Sequence, residues 1–269
     1  MNAGFRVRQM KTVAGVDFRR TLGGRRTLGL VLFCSIPVVI ALVRTFVFPE
    51  GARMDVGRTT HELAQIFSLF HLRFIVFFGC AFLFVKSFRG EVLQHTLHLT
   101  LLLPIRRSDL IIGKYFGALA VALSVLLPST LALVVFYRLA NGVARTFQLM
   151  TTSQGLGHLA AYLGITALAA VGYGALFLLA GLFFRNPMVP AALYLGFEAL
   201  APYLPFPIRV FSIGRHLHAL LPVPVSLGPL AVTGSDTPGW LAIILILGVA
   251  AVAVRLAGWR AQGFEVDYS

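Results

Sequence analysis

Charge is scarce in this chain: only 12% of its 269 residues are charged, about half the ~25% of an average soluble domain. Ten of them are acidic, so there is no pair of aspartate clusters to hold magnesium for prenyl or phosphoryl chemistry. No GxSxG or HExxH occurs either, which argues against a hydrolase of those types. The two cysteines, Cys34 and Cys80, both lie inside apolar runs. They read as small buried hydrophobes, with no disulfide framework and no CxxC site. No repeat of 20–50 residues is visible, and no stretch is polar enough to make a soluble domain of useful size. A cleavable signal peptide is not expected, because the first apolar run begins near Thr27 and is long enough to span a bilayer.

What is abundant is apolar sequence. Hydrophobic residues make up 58% of the chain, and the mean hydropathy is +0.84. Runs near 27–48, 68–87, 112–137, 158–184, 188–207 and 239–258 each approach the roughly 17–25 residues of a spanning helix. The expected fold is an all-α integral membrane protein with six transmembrane helices. The fifth run is the weakest, broken by Pro190, Pro202, Pro205 and Pro207 and carrying Glu198. Prolines there predict a kinked or broken helix, tolerated only where neighbours satisfy the freed backbone groups. After it, the proline- and glycine-rich segment 202–238 predicts short helices dipping into the outer interface.

The net charge of +13 does not point to nucleic acid. The basic residues punctuate apolar spans instead of covering a face, as expected for contacts with anionic headgroups. Their distribution sets orientation. Seven lie before the first span (Arg6, Arg8, Lys11, Arg19, Arg20, Arg25 and Arg26), and five surround the loop after the second (Lys86, Arg89, Arg106, Arg107 and Lys114). The loops after the first and third spans hold only Arg53 and Arg58, and Arg138 and Arg145. The positive-inside rule places the N-terminus and the 88–111 loop in the cytoplasm, and six spans return the 259–269 tail there. Within 1–26, an amphipathic surface helix is predicted over 5–22. Val7, Met10, Ala14, Phe18 and Leu22 form its apolar stripe, interrupted by Lys11 and Asp17.

A few polar residues stand out. Gly113–Lys114 looks like the end of a phosphate-binding loop, but Ser108 stands where that motif needs glycine and Tyr115 where it needs Ser or Thr. Glu91, His95 and His98 share a helical face at spacings that a metal or a partner protein would both suit. His216 and His218 converge on a metal only if extended, and otherwise sit at the headgroups. Glu198, the acid deepest in a span, faces protein or a water-filled cavity. It serves either as a pathway residue or as a structural hydrogen bond.

The 88–114 segment resembles the cytoplasmic loop of ABC-2-type transporter permeases. The matching residues are Glu91, Thr96, Leu97, Leu101, Leu102, Leu103, Pro104, Arg107, Gly113 and Lys114. His95 stands where that family usually has glycine. Arg185–Asn186–Pro187 looks like the family's short intracellular turn. The resemblance implies a non-catalytic permease subunit that pairs with a second copy or a homologue in the bacterial inner membrane. Separately encoded ATPase subunits would dock on its cytoplasmic face, with no cofactor in this chain and with ATP and magnesium bound by the partner. Periplasmic or accessory subunits are compatible with it. The loop would be the coupling helix, presenting Gln94, His95 and His98 to the ATPase and ended by Pro104. An ATP-independent channel or secondary carrier, or a membrane scaffold, is the alternative reading. Inverted repeats would favour a carrier, and none is visible.

Overall fold

The computed structural model describes residues 3–47, 56–93, 106–139, 141–184, 186, 188–225 and 237–262. Among the described residues all regular structure is helical. Helix α1 (Ala3–Leu22) leads through a Gly23–Gly24 turn into α2 (Arg25–Val47). A long rod follows, made of α3 (Val56–Ile66), a π-helical stretch (Phe67–Val76) and α4 (Phe77–Leu93). Then come α5 (Arg107–Leu139), the short α6 (Val143–Thr151) and α7 (Ser153–Gly181). The last part holds α8 (Met188–Leu200), a 3-10 turn (Ala201–Tyr203), α9 (Phe206–Arg209), α10 (Ile213–His218) and α11 (Gly239–Gln262).

Among the described residues, five helices are long and apolar enough to cross a membrane: α2, the α3–π–α4 rod, α5, α7 and α11. Their outward faces carry exposed Leu28, Leu32, Phe46, Ile244 and Val252, a surface that a hydrocarbon solvent accommodates and water does not. The chain is therefore a multi-pass membrane protein.

The fifth span expected over 188–207 is broken, as its prolines predict. Helix α8 has 13 residues and rises roughly 20 Å, short of the ~30 Å hydrocarbon core. Pro202 and Pro205 lie in and just after the 3-10 turn that ends it; neither has an N–H to continue a helical ladder. The second spanning helix begins at Val56, upstream of the expected start near 68. His61, Glu62 and Gln65 look like loop residues in sequence, yet Glu62 has partners that hold it on a helix. It pairs with Arg44 and, at 3.2 Å, with Arg58, and it accepts the Tyr137 hydroxyl at 3.1 Å. Arg44 also lies 4.2 Å from the Tyr137 ring centroid. This cluster joins α2, α3 and α5 at one end of the bundle.

Inside the bundle, hydroxyls tie helix to helix. Ser129 donates to the Cys34 carbonyl at 2.7 Å, and Tyr115 donates to the Val171 carbonyl at 2.9 Å. His71, Thr130 and Thr166 form a buried chain at 2.9 and 3.0 Å. Such bonds matter in lipid because no water competes for the groups, although each contributes only about 0.6 kcal/mol on average. At the α1 end of the bundle, Arg260 lies 5.6 Å from the Phe183 ring, and Gly258 approaches Ser108. The end of α11, the start of α5 and the residues after α7 therefore lie together.

Candidate functional site

Two places concentrate polar side chains that the fold had to position. The first is the seam between α1 and the start of α5. Gly113 and Gly117, one turn apart, leave a groove into which α1 settles. A Cβ on Gly113 would lie 2.9 Å from Val13, and one on Gly117 would lie 2.9 Å from the Ala14 carbonyl oxygen. Small residues spaced four apart permit this approach of backbones in a membrane. Two ion-based ties lock the seam. Arg6 donates to Asp109 through Nε at 2.9 Å and Nη2 at 2.6 Å, a bidentate fork. Asp109 is fully buried. The hydrogen bond from Arg6 to Asp109, reinforced by its negative charge, pushes the guanidinium pKa still higher, so Arg6 stays charged. Deeper, Ser87 donates to Asp17 at 3.2 Å, and Lys114 Nζ donates to the Ser87 carbonyl at 3.3 Å.

Of the residues expected to couple to a partner, Arg107, Gly113 and Lys114 belong to the α5 side of this seam. Glu91 lies in the last turn of α4, and its side chain is outside the described residues. Gln94, His95, Thr96, Leu97, His98 and Pro104 are outside the described residues altogether. Arg107 begins α5. Gly113 and Lys114 are buried, Lys114 to 2% exposure, beneath α1 and not at a surface. Asp17, Ser87 and Asp109 belong to the same node, and no motif flagged them. Asp17 broke the apolar stripe of 5–22, and that break was the only available signal. The packed face of α1 runs through Arg6, Met10, Val13, Ala14 and Asp17, while Val7 and Leu22 are exposed.

The second place is Glu198, which is 3% exposed. Its Oε1 accepts the Gly214 N–H at 2.7 Å, and the Tyr173 hydroxyl lies 3.1 and 3.2 Å from its two oxygens. A Cβ on Gly214 would sit 2.9 Å from Oε2, so only glycine lets the backbone come this close. One turn before Glu198, Tyr194 donates to the Phe211 carbonyl at 2.8 Å and accepts from the Ile213 N–H at 3.2 Å. Together they stitch α8 to the start of α10 and give the first N–H groups of α10 their acceptors. Phe77 packs edge-on to Tyr173 and Phe177, with centroids 5.1 Å apart in each case, and stacks on Tyr194 at 6.2 Å. Arg73, on the π-helical stretch, is near enough for its charge to act on Glu198 and His218. His216 and His218 lie in the last turn of α10. His216 bonds the Val210 carbonyl at 3.0 Å through Nε2. No group of three metal-binding side chains exists among the described residues.

A bundle of long apolar helices, with a basic helix locked onto one end and a broken helix pinned inside, is a transporter-like arrangement. A family profile described as ABC-2 family transporter protein matches residues 63–254, well over half of the chain. The chain belongs to the ABC-2 transporter family. No curated protein matches it. Members of the ABC-2 family are generally non-catalytic transmembrane subunits that work with an ATPase subunit. The matched region begins in α3 and ends in α11, so it takes in the Glu198 node and the α5 side of the seam, while α1 lies outside it.

Proposed function

We propose that this ABC-2 permease is the membrane subunit of an ATP-driven exporter in a bacterial inner membrane. It would pair with a second copy or a homologue and be driven by a separate ATPase that binds ATP and magnesium. The α1 end of the bundle is assigned to the cytoplasm, on the strength of the seven basic residues before Thr27 and the five around the 88–111 loop. The sixth crossing is assigned to α8 and the segment after it. The chain has to return to the far end before α11, whose last turns come back beside Ser108.

The observation that carries the reading is the tie across the two ends of the 94–106 connection. Lys114, eight residues into α5, bonds Ser87 near the end of α4, and Ser87 bonds Asp17 of α1. A push on the connection is therefore delivered to α1, α4 and α5 as one body. Rigid-body motion of packed helices is how such a push becomes an opening or closing of the dimer. Glu91, Gln94, His95, Thr96, Leu97, His98, Pro104 and Arg107 are proposed as the surface the ATPase engages. Gly113 and Lys114 act one layer behind them, by holding α1. Glu198 is proposed to border the translocation pathway, as the pin of the broken helix.

Copurification tests the reading. The chain solubilised from its native membrane should bring down a nucleotide-binding subunit whose ATPase activity rises with the complex. Replacing Glu91→Ala and Arg107→Glu together should lower coupled activity while the protein stays in the membrane. A broken helix near mid-depth would also serve an ATP-independent carrier. Recovery of the intact protein with no ATPase favours that reading and defeats the exporter.

A further inference from the structure

Arg138 ends α5 at the opposite end of the bundle from α1, and neither the seam nor the Glu198 node uses it. It is 6% exposed, and its Nη1 has no hydrogen-bond partner among the described residues. None of the ion pairs among those residues includes it. Glu62, the acid on the neighbouring α3, is already occupied by Arg44, Arg58 and Tyr137. The Arg138 backbone is held in place: its carbonyl accepts the Thr146 hydroxyl at 2.7 Å and the Asn141 N–H at 2.9 Å.

Arg138 borders a small cavity of about 90 Å³, between the start of α3 and the α5–α6–α7 corner. Asn141, Thr152, Gly155 and His158 also line it. Gly155 lets α7 pack directly on the end of α6, since a Cβ there would strike the Leu149 carbonyl oxygen at 1.7 Å. Asn141 already spends its Oδ1 on the Thr59 hydroxyl, at 3.2 Å, which leaves its amide nitrogen to donate. His158 lies within reach of the Arg138 charge, as does the fully buried hydroxyl of Tyr162, another polar atom with no partner. The described lining thus offers a cation and neutral donors and no carboxylate.

A buried guanidinium without a counter-ion is strongly disfavoured, and its planar fork matches an oxyanion better than any other side chain does. We propose that Arg138, Asn141 and His158 form a binding pocket for a phosphate-class oxyanion, either free phosphate or the phosphodiester of a lipid headgroup. The cavity admits one such group and no more. Thr152 and Gln154 at its rim are exposed, so the remainder of a larger ligand stays outside.

The test uses the full chain in maltoside micelles, which carry no phosphate, at constant ionic strength. Inorganic phosphate, a short-chain phosphatidylglycerol and chloride are titrated separately, and the thermal midpoint and calorimetric heat are followed. A saturable response to phosphate identifies a free-anion site, and a response to the lipid alone identifies a headgroup site. Arg138→Gln should weaken that response by on the order of 100-fold, and Arg58→Gln, an exposed arginine, should leave it unchanged. Asn141→Asp keeps the acceptor for Thr59 and supplies an internal anion, so it should abolish binding in a chain that remains folded. The proposal is overturned if neither phosphate nor the lipid outperforms chloride. It is equally overturned if Asn141→Asp, or a folded Arg138→Gln, binds as the parent does.

Discussion

Glu198 shows how much a single carboxylate can organise. It is the partner of a backbone N–H on one element and of a tyrosine on another, so its removal strands both. Glu198→Ala should lower stability by about 1–3 kcal/mol, the cost of leaving a buried donor without an acceptor. Glu198→Gln keeps one oxygen for Gly214 and should cost less. Thermal unfolding in detergent reads the order of the two. Transport then separates the roles: a pathway residue loses activity in the glutamine variant at normal stability, and a pin does not. That Glu198 faces protein or a cavity was legible in the sequence, because a carboxylate inside an apolar run has few other options; that the protein surrounds it was not. Its partners were not, since Tyr173 and Gly214 are separated from it by 25 and 16 positions and belong to no motif. Asp17 makes the same point from the other side. It looks like a flaw in an amphipathic stripe and is the residue that fixes which stripe is packed.

Among the long helices, α1 has its position set almost wholly by one neighbour. It lies almost wholly against α5, through a groove only glycines can leave. Gly113→Leu should displace it, at a cost of about 1–3 kcal/mol for overpacking, and amide exchange over 3–22 should quicken while exchange in α7 stays slow. Asp109→Asn should loosen the same helix from its first turn, where Arg6 would lose its charged partner, and exchange should quicken there before it does near Asp17. The existence of this helix was readable from its spacing, but its partner was not. Gly113 and Gly117 advertise a close approach without saying what approaches. The break after α8 was readable because proline cannot continue a helical ladder. The ties from Tyr194 and Glu198 to the start of α10, by contrast, join positions 16 to 19 residues apart. Of the loop that most resembles the family, 94–105 lie outside the described residues, so its part in coupling rests on sequence.

At the scale of the whole molecule the sharpest prediction concerns the α1 end of the bundle. A Cβ placed on Gly258 lies 3.6 Å from that of Ser108, within the ~3.5–4.5 Å that a disulfide bridges. A Ser108→Cys, Gly258→Cys chain, with Cys34 and Cys80 replaced by alanine, should therefore crosslink on mild oxidation. A non-reducing gel detects the bond, and its absence would mean that α11 does not come back beside the start of α5. The presence of several long apolar helices and the basic bracketing of one connection were plain from composition, because bilayer thickness and the headgroup field act on any chain alike; their number was not, since six were expected and five stand among the described residues. The packing order of those helices is not composed that way. It depends on a few hydroxyls, glycines and aromatic rings whose sequence separations range from tens to a hundred residues.

The π-helical stretch Phe67–Val76 gives the long rod a property of phase. An α-helix turns about 100° per residue, 3.6 residues completing a circle, and a π-helix needs more residues for the same circle. The rod is gripped near one end by Glu62 and near the other by Ser87. Any exchange of α for π geometry between those grips is therefore a rotation of one against the other. Arg73 and His71 ride on the part that would turn. The residues that the rod presents to the interior then behave as a dial.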